Sequence, residues 1–185
     1  MFHVQDSSKL TPKQFELAVR ELIRRSGIGL QEFKVNHLDA VEGTDGNYTM
    51  DITARFMALN VNFLVLIECK RHKNPIERSD VQILQDKIRS VGAQKGMIFS
   101  ASEFQRGAVE YASLHGIALI QLVEGDLTYF TKSFGGPAPK PPPWADLPVY
   151  AGYFASIENG SLTYSSFPEC AKEKLNKIYD VGGSA

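Results

Sequence analysis

Cysteine is nearly missing from this chain. Its two cysteines, Cys69 and Cys170, lie far apart and form no CxxC pair. That spacing excludes a zinc knuckle and a disulfide framework, and it fits a reducing, cytoplasmic compartment. Long hydrophobic runs are also absent, and the longest is far too short to span a bilayer. The stretch Met1–Leu10 carries no apolar core, so no secretion leader is expected. Neither sign of charge dominates: the formal net charge is -1. A global basic field is therefore ruled out, and any contact with a polyanion falls to local clusters. Those clusters are Lys70, Arg71, His72, Lys73 and Arg78, and separately Arg20, Arg24 and Arg25. His3, His37 and His115 show neither triad nor metal spacing and read as structural, while His72 reads as a solvated loop residue. No internal repeat is apparent.

What is present is ordinary in bulk and specific in detail. The 185 residues, 43% hydrophobic and 22% charged, suffice for one full domain plus an extension. The most specific stretch is Val61-Asn62-Phe63-Leu64-Val65-Leu66-Ile67-Glu68-Cys69-Lys70. An apolar, β-branched run of this kind predicts a strand buried on both faces. It ends in Glu68 and Lys70 at i and i+2. On a strand these share one face, roughly 6.6 Å apart along the chain. Charge at the end of such a strand is costly without a partner. A structural ion pair is a poor reason to place it there, because buried pairs stabilise weakly.

The flanking pattern extends the reading. Thr11-Pro12-Lys13-Gln14 is a helix start, with Thr as N-cap, Pro at the first position and Gln at the third. Phe15, Ala18, Val19, Leu22 and Ile23 follow helical spacing, and Gly27 and Gly29 end the helix. Glu16 sits at the rim of that stripe, within reach of a sheet. Residues 33–38 read as a first strand, 42–47 as a turn-rich loop, and 49–59 as a second strand. In the second strand Met50, Ile52, Ala54 and Phe56 share one face, and Asp51, Thr53 and Arg55 the other. Leu59-Asn60 turns back into the strand ending at Lys70, an antiparallel hairpin that sets Asp51 beside Glu68. A helix from about Ser79 carries Val81, Leu84, Ile88 and Val91 inward. Residues 96–101 form a strand. Ser102-Glu103-Phe104-Gln105 reads as a capping box for the next helix, and residues 117–123 as a further strand. Alternating strands and helices imply parallel pairing by right-handed crossovers, hence an α/β sandwich around a mixed sheet. Residues 1–134 form the main domain, 135–143 a stiff Pro-rich linker, and 144–185 a small extension with Trp144 in packing. The extension holds a hairpin about Asn159-Gly160 and a helix over 169–179. It is small for independent stability and is expected to pack on the main domain, a partner chain or a further domain.

Asp51 and Glu68 converging on one point suit Mg²⁺ or Mn²⁺, since hard cations take oxygen ligands. The main-chain carbonyl of Cys69 is a further ligand candidate, because its side chain points away from Glu68 into the core. Lys70 beside them suits stabilisation of developing negative charge. The set Asp…Glu-x-Lys fits metal-assisted phosphodiester hydrolysis. A second Glu-x-Lys, Glu32-Phe33-Lys34, reads as a solvated strand face.

These residues carry a resemblance. From Thr11 to about Val123 the chain resembles the Mrr-type restriction endonuclease domain of the PD-(D/E)xK nuclease superfamily. The matching features are Thr11-Pro12 with Phe15 and Glu16, Asp51, Glu68-Cys69-Lys70-Arg71, Pro75 and the helix at Val81. Gly96-Met97-Ile98-Phe99-Ser100, Phe104 and Ala108 complete them. The resemblance implies a restriction-endonuclease-like α/β/α sandwich and a Mg²⁺-dependent DNA endonuclease of a restriction or DNA-defence system. It implies Asp51 and Glu68 as metal ligands, Lys70 as the catalytic lysine, Glu16 as an auxiliary acid and Gln82 as a polar helper. Arg71, Lys73 and Arg78 fall to DNA contact, and cutting a duplex implies a homodimer or a larger defence assembly. The loop before Asp51 is longer than the compact Asp-Gly-Gly-Ile-Asp of many relatives, which makes Asp45 a rival to Asp51. A catalytically silent nucleic-acid-binding domain of the same fold, and a nuclease specific for junctions, flaps or RNA, are the alternatives.

Overall fold

The computed structural model describes residues 10–27, 29–124 and 150–166. Helix α1 (Pro12–Ser26) leads into a meander of β1 (Gln31–Gly43), β2 (Gly46–Ala58) and β3 (Val61–Lys70). Then come α2 (Arg78–Val91), β4 (Lys95–Ser100), α3 (Arg106–His115) and β5 (Ala118–Glu124). The hairpin β6 (Tyr150–Glu158) and β7 (Ser161–Ser166) closes the described chain. Among the described residues the seven strands form one sheet in sequence order. The β3–β4 and β4–β5 pairs are parallel and the rest antiparallel. The fold is an α/β sandwich of the restriction-endonuclease-like type.

Burial of both sheet faces explains the apolar run that ends at Lys70. Leu66, Ile98 and Leu119 pack with Val81 and Leu84 of α2 and with Ala108, Val109 and Ala112 of α3. Their strand neighbours Ile67, Phe99 and Ile120 pack on the opposite side with Phe15, Val19, Leu22 and Ile23 of α1. Alternate residues of the central strands thus feed two cores, one beneath α1 and one beneath α2 and α3. The α1 N-terminus carries the expected capping box: Gln14 N–H donates to Thr11 Oγ1, and Thr11 N–H donates to Gln14 Oε1 at 2.8 Å.

Tight turns fix the registers. Leu59 and Asn60 both have positive φ (52° and 58°), the backbone of a type I′ hairpin turn, and Leu59 is 95% exposed at its tip. Asn159 and Gly160 repeat that geometry between β6 and β7. The hairpin is the edge of the main sheet: β6 pairs with β5 from Ile120↔Phe154 to Glu124↔Tyr150. The linker over 135–143, Trp144 and the helix expected over 169–179 lie outside the described residues.

Three local expectations change. The first strand is longer than 33–38 and the turn-rich loop expected over 42–47 is mostly strand: β1 runs to Gly43, β2 starts at Gly46, and only Thr44-Asp45 turn between them. Ser102-Glu103-Phe104-Gln105 is not a capping box, for α3 begins at Arg106 with Gln105 as N-cap and no side-chain cap bond. Phe104 is instead extended and buried, bridged in parallel to Ile76: Ile76 N–H donates to Glu103 O, and Gln105 N–H to Ile76 O. The Ser102 hydroxyl donates to Asn74 O. Pairing with the loop after β3 thus claims the residues that would otherwise start the helix. Nor do Met50 and Ile52 share a core. Met50 packs beneath α2 and α3, while Ile52 and Ala54 pack beneath α1. Opposite this change Leu38 of β1 has a positive φ of 51°, between the pairs His37↔Ile52 and Asp39↔Met50.

Gly92 ends α2 at φ 72°, with open space where a Cβ would lie. Gly92→Ala therefore carries only the backbone penalty. It is expected to lower stability by about 1–2 kcal/mol in chemical denaturation, with no change in the sheet.

Candidate active site

Three elements meet at the C-terminal end of β3, and the register determines how. Backbone pairing of β2 with β3 ends at Ile52↔Ile67, which leaves Asp51 and Glu68 as the next residues on the two strands. There the ladder gives way to a side chain: Cys69 N–H donates to Asp51 Oδ2 at 2.7 Å. On its other edge β3 stays paired with β4 through Lys70↔Ser100, and Ala101 N–H donates to Lys70 O. The strands part on one side only, and the opening holds Asp51 and Glu68. A strand residue carries its N–H and C=O on the same edge, so the Cys69 carbonyl also faces this opening.

Helix α2 covers the site with two residues seven apart, hence on one face. Lys87 Nζ lies 3.0 Å from Glu68 Oε2. Asp80 Oδ1 lies 3.5 Å from Lys70 Nζ, which is itself 3.9 Å from Glu68 Oε1. All four side chains are at most a quarter exposed. From α1, Glu16 reaches the sheet and meets His37 of β1, with Oε2 2.6 Å from Nε2.

The electrostatics show an excess of carboxylates. Burial pushes the Asp51 carboxyl above its ordinary range, and the charges of Glu68 and Glu16 push it further. The Cys69 N–H and the Lys87 ammonium pull the other way and do not cancel the rise. Burial, followed by Asp51, Glu16 and Glu68, raises the Cys69 thiol well above its ordinary value, so this sulfur is no nucleophile at neutral pH.

Asp51, Glu68 and Lys70 are thus brought to one place, and Glu16 stands within electrostatic range. Asp45 is engaged elsewhere: at the tip of the β1–β2 hairpin its carboxylate accepts from Tyr48 Oη at 2.8 Å and from the Ser90 hydroxyl. Those bonds hold its carboxyl below the ordinary range. Gln82 is exposed on the flank of α2, turned from the side that bears Asp80 and Lys87. Glu32 and Lys34 are exposed on β1, as expected of a solvated strand face. Arg71 and Lys73 line a groove of about 510 Å³ beyond the end of β3, together with Pro75, Ser102 and Gln121. Arg78 lies over the Tyr111 ring at 4.9 Å, on the α3 side. Sequence reasoning missed Lys87, Asp80 and His37. The seven-residue spacing of Asp80 and Lys87 was the available signal for the first two, and His37 carried none.

Among the described residues no group of three His, Cys, Asp or Glu side chains converges on a point. The candidate donor set for a cation is two carboxylates and a main-chain carbonyl, with Glu16 turned toward His37. Its chemistry fits a hard divalent ion, since Asp51 and Glu68 are oxygen donors whose mutual repulsion a cation would relieve. Among the described residues no helix is long and apolar enough to cross a membrane.

No curated protein matches the chain. Among solved structures, the protein of unknown function AF1548 is similar at 17% identity with a TM-score of 0.45. That match covers 58% of this chain and 55% of that one, so the chain spans little more than half of its length. The model of a restriction endonuclease family, the Mrr catalytic domain, matches residues 7–126. That is well over half of the chain and holds every strand and helix from α1 to β5, and the chain belongs to this restriction endonuclease family.

Proposed function

We propose that the chain is a Mg²⁺-dependent DNA endonuclease, with Mn²⁺ able to substitute, acting in the cytoplasm in a restriction or DNA-defence system. The observation that supports it most is the parting of β2 and β3, which sets Asp51 and Glu68 side by side next to Lys70. Asp51, Glu68 and the Cys69 carbonyl would hold the metal, which when bound supplies a Lewis acid for the scissile phosphate and lowers the pKa of an attacking water. Lys70 donates hydrogen bonds to the phosphate oxygen that gains charge in the transition state. Asp80 restrains the Lys70 ammonium when no substrate is present. His37 orients Glu16, the auxiliary acid. Gln82 has no part in this version of the site. Arg71 and Lys73 bind phosphates flanking the cut, with Arg78 further along the same path, and such contacts are salt-sensitive. Cutting both strands takes two such centres, hence a homodimer or a larger assembly.

One observation favours a second reading, a catalytically silent nucleic-acid-binding domain: Glu68 already has a cation, Lys87, at 3.0 Å. Incubation of supercoiled plasmid with the purified chain and Mg²⁺, Mn²⁺ or chelator separates the two. Nicking or linearisation is expected with either metal and not with chelator. Metal-independent, salt-sensitive DNA retention without product would support the silent domain. Cleavage confined to junctions, flaps or RNA would move the substrate class and leave the chemistry in place.

A further inference from the structure

Lys87 has no counterpart in the Asp…Glu-x-Lys pattern, yet of the two lysines beside Glu68 it makes the shorter ion pair. Its ammonium lies 3.0 Å from Glu68 Oε2, while Lys70 stands at 3.9 Å from the other oxygen and leans to Asp80 at 3.5 Å. Lys87 also acts on Asp51, whose carboxyl it pulls down against the effect of burial. One ammonium thus pairs with Glu68 and is felt by Asp51 through its charge. A lysine at that point and a divalent ion would compete for the same oxygens. Both side chains of the pair are less than one-fifth exposed, so solvent screens their attraction only in part.

We propose that Lys87 is the resident counter-cation of the metal centre: it holds the Glu68 carboxylate while no metal is bound, has to give up that contact when the metal arrives, and so sets the metal concentration at which the centre fills. The proposal rests on the reading of Asp51 and Glu68 as metal ligands. Its physical content is competition. Metal binding includes breaking the Lys87–Glu68 pair, and removal of the ammonium removes that cost. A residue that merely supported the fold would behave in the opposite way, because its loss would loosen the donors and weaken the metal.

The test is Mn²⁺ binding to the full chain without DNA, followed by titration calorimetry, for wild type, Lys87→Met, Lys87→Arg and Glu68→Gln. Lys87→Met keeps a long unbranched side chain and drops the charge. It is expected to bind Mn²⁺ about tenfold more tightly, with Lys87→Arg close to wild type. The second readout is thermal. In chelator Lys87→Met melts below wild type, and the rise in Tm on adding Mn²⁺ is larger than in wild type, as linkage requires of a tighter ligand. Lys87→Gln repeats the charge removal should the Met variant fold poorly. Unchanged or weaker Mn²⁺ binding in both neutral variants, with wild type binding and Glu68→Gln not, overturns the role of Lys87 and leaves the metal centre standing. No Mn²⁺ binding by any of the proteins overturns the centre and the proposal together.

Discussion

Lys70→Ala and Glu68→Ala are each expected to lower the rate of plasmid cleavage by about 10³-fold while the sheet stays folded. The two halves of that expectation have separate causes. Lys70 contributes to the fold through its backbone, by the Lys70↔Ser100 register and the bond from Ala101 N–H to Lys70 O, and alanine keeps both. Its ammonium contacts Asp80 and Glu68 at 3.5 and 3.9 Å, pairs loose enough that their loss costs about 1 kcal/mol or less. Glu68 lies past the last residue of its strand that packs beneath α2, Leu66, so its truncation opens no core cavity. The Glu68 variant leaves Lys87 without its 3.0 Å partner, and is the less stable of the two. On the proposed function chemistry has no such tolerance, because these groups would act where charge develops. Single-turnover cleavage with saturating Mn²⁺, read beside circular dichroism and a melting curve, checks both halves. A variant that cuts at the wild-type rate would remove its residue from the mechanism. A variant that loses its melting transition would say nothing of catalysis, and Lys70→Met and Glu68→Gln then take their places.

The fold is legible where the sequence obeys a period. The run to Lys70 has no polar alternation because both faces of β3 are covered: Leu66 goes to one core and Ile67 to the other. The α1 start at Thr11-Pro12 is legible because its capping bonds are local. Asp51 and Glu68 meet as expected because the Leu59-Asn60 turn fixes the hairpin register, and counting back from that turn places them opposite each other. What depends on how one element turns against another is not legible. Gln82 and Lys87 both lie on α2, and only the helix's rotation about its axis decides that Lys87 meets Glu68 while Gln82 faces solvent. His37 reads as structural from sequence because its partner, Glu16, is 21 residues away on a helix across the sheet face. The Ser102–Gln105 segment carries a sound local helix signal that long-range pairing with Ile76 overrides. Asp45 and Asp51 were rivals on spacing alone, and the hairpin separates them by placing Asp45 at its tip with Ser90 and Tyr48.

Asp51→Asn is expected to abolish cleavage, by about 10³-fold or more, and at the same time to leave the metal-free protein as stable as wild type or more so. The reason lies in the direction of the Asp51 shift. Burial, with Glu68 and Glu16, raises its carboxyl above the unfolded value, so the folded chain holds this proton more tightly than the unfolded chain does. That contribution to stability is complete at low pH and is lost as pH rises through the raised value; above it the ionised Asp51 is a net burden on the fold. Asparagine keeps an oxygen to accept from Cys69 N–H, the bond that ends the β2–β3 ladder, and removes the charge. The Tm difference in chelator, variant minus wild type, should therefore grow as pH rises from the carboxylate range toward neutrality. Mn²⁺ should erase it, because the ion relieves the wild-type repulsion and finds one ligand fewer in the variant. Melting curves across that pH range, with chelator and with Mn²⁺, decide the matter. A variant less stable than wild type at every pH would mean that Asp51 supports the fold through contacts its charge strengthens. A variant that still cuts would return the first metal ligand to open question. The expected pair, lost activity with kept or gained stability, is the mark of a carboxylate placed for a cation rather than for the fold.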